Sequence, residues 1–333
     1  SETSTHLGPL TMEEENSKEM SKKEAKKYLV FLVKEWSSSE NEKDRLNAFL
    51  TLRKLVSKNS FLMESAMKMM YLSFVKASKN YTSLTHERFV VMRNCVTELY
   101  SMDPVSGYQH AFVYLRQLAI HVRKAMTSMN AVDIHSVYSW QFVNCLRLWT
   151  YMVIEPSLKE AFQPLVYPLI QVIESTVNLI PTVRYYPVRL HCVDLFIQIT
   201  AATGVYIPVP PLLLEVIENE KFMEKPAPVT AKPPDVNFAI KVSKTFVGSR
   251  AVQDTIVSRA VALLADYMKL LEKEVAFPEV AYPVARSLKA YAKKCRVSQW
   301  SSATRALSQK LEKQIESMIR AREAITGSLG DSA

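Results

Sequence analysis

The chain has 333 residues, 48% hydrophobic and 23% charged, with 6 glycines against 16 prolines and a formal net charge of +9. No uninterrupted apolar run approaches the ~20 residues that span a bilayer, no charged-then-apolar leader opens the chain, and so few glycines leave little room for phosphate-cradling loops; a membrane protein and the common nucleotide-dependent enzymes are not expected. The charge is uneven: residues 286–333 carry 10 Lys and Arg against 4 Asp and Glu, whereas residues 158–217 carry 3 against 4, so a basic end suited to an acidic partner follows a core that few ions interrupt.

Little of the sequence alternates as half-buried strands do, and a helical chain is predicted. Residues 1–20 mix charge and small polar residues without periodicity, including Glu13-Glu14-Glu15, and are predicted to form a flexible lead-in. A helical-repeat domain follows over 21–325. Its first helix starts at Ser21 with Glu24 three residues on, the spacing of a capping box, and carries Tyr28, Phe31 and Leu32 on successive turns. Leu46, Phe49, Leu50 and Val56 mark a second helix, and Phe61, Met67, Met70, Phe74 and Val75 a third. Met63, Met67 and Met70 with Phe74 also make a candidate partner-binding surface, because methionine adapts to irregular contacts; the same spacing serves a plain core.

Phe89, Met92, Val96 and Leu99 give a helix that stops at Asp103-Pro104. Tyr108 to Met126 gives another, with Phe112, Leu115, Leu118, Ala119 and Val122 inward, and one helix is predicted from Val132 to Ile154. The prolines then punctuate: Pro164 and Pro168 head a helix that Pro181 closes, Pro187 opens the next, and Pro208, Pro210 and Pro211 lead into a third. Between them Leu169, Val172, Ile173, Val177 and Ile180, then Val188, Cys192, Leu195, Phe196 and Ile199, recur as two amphipathic faces. Pro226, Pro228, Pro233 and Pro234 make 222–237 a proline-rich crossing. Arg250 to Val275 is helical, Phe277-Pro278 restarts the chain, and Trp300 to Ile325 forms a basic amphipathic helix before a flexible tail over 326–333. Hairpins joined by short proline-bearing turns imply an all-α fold, an α-solenoid of HEAT-like helical hairpins.

Catalytic signatures are missing. His86-Glu87 begins like a zinc-protease helix, but Val90 stands where the second histidine is required. His191 and Cys192, adjacent on a helix, point about a third of a turn apart and read as packing residues. Cys95, Cys145, Cys192 and Cys295 have no paired spacing and read as reduced thiols. No catalytic residue, metal or cofactor is expected.

The basic residues are the better lead. Arg286, Lys289, Lys293, Lys294 and Arg296 step along one helix and its exit, interleaved with Tyr282, Tyr291 and Trp300. Such a mixture contacts phosphates and stacks bases, or else is a solvated face with its aromatics turned inward. Arg184 and Arg189 flank Tyr185-Tyr186 where a helix opens, a second candidate for phosphate; the alternative there is packing, with Arg189 capping the helix or paired to Asp194.

Several runs occur in a fixed order: Tyr108-Gln109-His110-Ala111-Phe112, Ser139-Trp140-Gln141, Phe162-Gln163-Pro164-Leu165, Tyr167-Pro168-Leu169, Leu179-Ile180-Pro181-Thr182, Tyr186-Pro187-Val188-Arg189, Gly204-Val205-Tyr206-Ile207-Pro208 and Phe277-Pro278-Glu279. Together, across residues 88–300, they resemble the nucleolar complex protein 2 family of ribosome-assembly factors. The resemblance implies a non-catalytic scaffold of nucleolus and nucleoplasm that forms a heterodimer with nucleolar complex protein 1 or 3 and binds pre-60S particles and rRNA, with no membrane and no small-molecule substrate. It also implies a second reading, a nuclear co-repressor module that binds histones and inhibits histone acetyltransferase.

Overall fold

In a computed structural model the protein is described over residues 20–226 and 233–330, with 325–330 described in the backbone alone. The lead-in expected over 1–20 and the middle of the proline-rich crossing lie almost wholly outside these residues. The described residues form helices and 3-10 turns and contain no strand, so the all-α class holds. The chain divides into two units, Ser1–Phe74 and Val75–Ala333, where one array was predicted over 21–325, and the division falls within the third helix.

The first unit contains α1 (Lys22–Ser38), α2 (Glu42–Lys58) and most of α3 (Met63–Ala77). The capping box forms as predicted: the Glu24 amide donates to Ser21 Oγ at 3.3 Å and the Ser21 amide to Glu24 Oε2 at 2.9 Å, satisfying N–H groups that have no partner inside the helix. The buried face differs from the expected one. Ala25, Leu29, Leu32, Val33 and Trp36 are buried while Phe31 is outward, because a stripe that buries Trp36 also takes in 29, 32 and 33 at helical spacing. In α2, Leu52 and Leu55 are buried while Leu46 and Leu50 face out. Arg45 is buried, and its Nη1 donates to the carbonyls of Ser39 and Glu40 at 3.0 and 3.1 Å, closing the α1–α2 turn.

In the second unit, α4 (His86–Ser101) ends as predicted and Asp103 caps α5 (Pro104–Ser128), accepting from the Ser106 amide at 3.1 Å. The helix predicted over 132–154 is two: α6 (Ala131–Val137) and α7 (Trp140–Ile154). Ser139, in extended backbone, interrupts them and caps α7 by accepting from the Phe142 amide. Beyond the short α8 (Lys159–Phe162) come α9 (Val166–Asn178), α10 (Tyr186–Thr203), α11 (Pro210–Ile217), α12 (Arg250–Leu271), α13 (Phe277–Lys294) and α14 (Ser298–Gly330). The last runs past the predicted end at 325.

Helix α10 is the centre of this unit and packs against α7, α9, α11 and α12. It was predicted to be amphipathic, yet Tyr186, Leu190 and Val193 are buried as completely as Val188, Cys192, Leu195, Phe196 and Ile199. A helix surrounded by others needs no polar face. It ends at Gly204, whose φ of 71° is the left-handed C-cap that glycine adopts without a side-chain penalty. Its start is finished by a distant segment: the Val188 amide donates to Ile240 O at 3.2 Å, and the Val242 amide to Arg184 O at 2.7 Å. The segment that makes these bonds is held by an aromatic cluster in which Tyr81 lies 4.5 Å from Trp140 and 5.8 Å from Phe238.

Candidate nucleic-acid interface

Helices α13 and α14 form an antiparallel hairpin whose close approach is set by small hydroxyl residues. Ser301 Oγ donates to Ala292 O at 2.7 Å and the buried Ser308 Oγ to Ala285 O at 2.8 Å. Leu288, Tyr291, Trp300, Leu307 and Leu311 are buried. With that face inward, steps of four, three and four along α13 place Tyr282, Arg286, Lys289 and Lys293 in one outward row. Tyr282 is 62% exposed and all three cations are exposed, as are Lys294 and Arg296 at the helix exit. Lys293 and Lys294 occupy the last turn, where the helix's terminal carbonyls favour positive charge.

The acids around this face are partly committed. Lys289 Nζ meets Glu312 Oε1 at 2.7 Å. Arg322 forks onto Glu279 at 2.8 and 2.7 Å and holds its carboxyl down to about 2. Arg286, Lys293, Lys294 and Arg296 have no ion pair among the described residues. The row therefore presents positive charge that is ion-paired only at Lys289, with one accessible aromatic ring. Of the three aromatics predicted to interleave with it, Tyr291 and Trp300 are instead core residues, and Arg250 lies over the Trp300 ring at 4.7 Å.

The second predicted cluster is structural. Arg189 is buried; it reaches Glu215 Oε2 at 2.6 Å and not Asp194, and lies over the Tyr186 ring at 5.3 Å. Arg184 donates through Nε to Val242 O at 3.1 Å, and Tyr185 stacks on Tyr138 at 4.6 Å. These side chains hold the start of α10 to its neighbours, and neither arginine is offered as a free phosphate ligand. Among the candidate partner-binding residues, Met67, Met70 and Phe74 are buried and only Met63 is part-exposed. At helical spacing on an inward face they fill a core, so these side chains pack and do not form the partner-binding surface expected from the sequence.

His191 and Cys192 do not form a catalytic pair. His191 is buried, with Nδ1 3.3 Å from Arg147 Nη2 and Nε2 3.1 Å from Ala239 O. Because Arg147 can only donate, Nδ1 accepts and Nε2–H donates to the carbonyl, which fixes a neutral ring. Burial, reinforced by Arg147, pushes its pKa down to about 3, and burial pushes the Cys192 thiol up to about 12. No group of three His, Cys, Asp or Glu among the described residues is placed to hold a metal ion, and no helix there is long and apolar enough to cross a membrane.

Sequence reasoning missed one surface. Helix α5 exposes Phe112, Val113, Ile120 and Met126, although Phe112 was expected inside. The available signal was compositional: none of its 25 residues is Asp or Glu.

A profile of the Noc2p family matches residues 61–333. The chain is 34% identical over 287 residues to nucleolar complex protein 2 of Drosophila melanogaster, an alignment covering 86% of this chain and 37% of that protein. It is 33% identical over 281 residues to nucleolar complex-associated protein 2 of Arabidopsis thaliana, covering 84% and 36%. It is 33% identical over 267 residues to a nucleolar complex protein 2 homolog of Caenorhabditis elegans, covering 78% and 37%. The chain thus spans a little over a third of the length of these curated relatives.

Proposed function

This chain belongs to the Noc2p family, and from that premise we propose that it is a non-catalytic nucleolar scaffold in large (60S) ribosomal subunit biogenesis. In this reading its helices stack as HEAT-like hairpins of an α-solenoid, and the antiparallel packing of α13 on α14 is consistent with it. It forms a heterodimer with nucleolar complex protein 1 or 3, binds pre-ribosomal particles and rRNA, and supports their maturation and intranuclear transport. The names of the relatives support the nucleolar setting. The observation that carries RNA contact is the outward row of Tyr282, Arg286, Lys289 and Lys293, continued by Lys294 and Arg296. Positive charge along one helix face tracks a phosphate backbone, and a single exposed ring offers a base a stacking surface.

Binding of a structured rRNA fragment over a salt series tests this directly, comparing the unaltered chain with Lys293→Glu/Lys294→Glu/Arg296→Glu. The expected result is weaker binding with a plot of log affinity against log salt shallower by about 2, since each lost phosphate contact removes ~0.7–0.9 from the slope. Circular dichroism should be unchanged, because all three side chains are exposed. Equal affinity and equal slope in the two proteins would remove the site.

A further inference from the structure

The outward side of α5 carries apolar residues where a solvated helix carries ions. Phe112, Val113, Ile120 and Met126 are each about half exposed or slightly more, from 47% to 54%. Phe112, Ala119 and Met126 face Pro168 and Val172 of α9 across a groove of about 510 Å³. The charges on this side of α5 have one sign. Arg116 and Arg123 line the groove, and Lys124, next to them, is drawn to Asp133 at 2.9 Å. The α9 wall contributes Gln171 and Ser175 without a charge, and Glu174 beyond it is hydrogen-bonded to Gln171 at 3.3 Å.

We propose that this groove is a docking site for an amphipathic helix of a partner protein, apolar on one face and flanked by Asp or Glu. Length and chemistry both support this occupant. Along the α5 wall Phe112 and Met126 stand fourteen steps apart, about 21 Å, the length of four turns of a partner helix, with α9 lining the part beside residues 168–175. Apolar anchors at helical spacing are how a groove reads such a ligand. Arg116 and Arg123 are one turn and three turns along from Phe112, so an acid on each flank of the incoming helix meets a guanidinium able to bind it through two hydrogen bonds. A polyanion has no use for Phe112 and Met126, and a basic helix meets like charge. The site is separate from the α13 row and holds whether or not that row binds RNA.

The test uses the whole chain and three labelled synthetic helices of sixteen residues with the same leucine face, their flanks being all Glu, all Gln or all Lys. Fluorescence anisotropy should rank them Glu over Gln over Lys, with roughly fivefold between neighbours. Phe112→Ser should weaken all three, and Arg116→Glu/Arg123→Glu should invert the order. Both variants alter exposed side chains; a matching melting temperature confirms folding, and Met126→Ser, at the other end of the groove, gives a second apolar reading if Phe112→Ser does not fold. An order independent of flank charge, indifference to the variants, or no saturable binding of the Glu helix by 1 mM would each overturn the proposal.

Discussion

Charging His191 in the folded protein would place a cation beside Arg147 inside the core, so the folded state keeps the ring neutral while the unfolded chain protonates it near its ordinary 6.5. The folded pKa is depressed, so the unfolded state binds more protons between about 3 and 6.5. Stability is therefore intact above 6.5 and falls as the pH drops, by up to about 1.4 kcal/mol per pH unit from this group. Urea unfolding at pH 7, 6 and 5 should show a smaller loss for His191→Gln than for the unaltered chain; parallel losses would contradict the assignment. Met129 is the second residue-scale case. It caps α5 in left-handed backbone at φ 48°, a region costly for any residue with a β-carbon. Met129→Gly should raise the unfolding free energy by up to about 1 kcal/mol, read as a higher urea midpoint at unchanged slope. Single residues were partly legible in the sequence. Ser21 and Glu24 declared their capping box because its chemistry is local, whereas the partners of Arg189 and His191 come from 26 and 48 residues away and no local spacing announces them.

Elements were more legible than faces. The prolines marked helix starts that formed, since they act on their own backbone; the break at Ser139 was missed, where a serine cap interrupts an otherwise continuous apolar pattern, as were the ends of α12 at Leu271 and of α14 beyond 325. The inward face of α10 could not be read as one stripe because it has neighbours all round. Truncating Phe196, which is 1% exposed, should cost about 3–5 kcal/mol, as measured by chemical denaturation of Phe196→Ala. At the α13–α14 seam the argument is steric. Ser308 donates to the facing Ala285 carbonyl with almost no accessible surface, so Ser308→Leu should overpack the seam and destabilise by about 1–3 kcal/mol. The basic row was legible as a row; its aromatic content was overestimated, because Tyr291 and Trp300 have the same spacing whether they stack bases or fill the hairpin.

At the scale of the molecule, composition gave the all-α class and the division of charge, but neither the two units nor the groove beside α5, which exist only once helices distant in sequence are brought together. The second unit is interlocked across the proline-rich crossing: α11 packs on α12 and α13, Arg250 donates to Phe222 O at 3.2 Å, and Tyr267 donates to Ile207 O. Co-expressed pieces 20–226 and 233–330 should therefore elute together in size-exclusion chromatography and separate only in denaturant. Independent elution in buffer would show that the crossing itself holds the halves.

The position of α10 also has a consequence in time. Its last neighbour, α12, ends at Leu271, 68 residues after α10 ends at Thr203. At ribosomal rates of ~5–20 residues per second, a nascent chain carries one of its most apolar helices incompletely covered for roughly 3–14 seconds. During that interval the emerging α10 is a ready target for chaperones, and slowing translation through residues 204–271 should increase aggregation of newly made chains without changing the stability of those that finish.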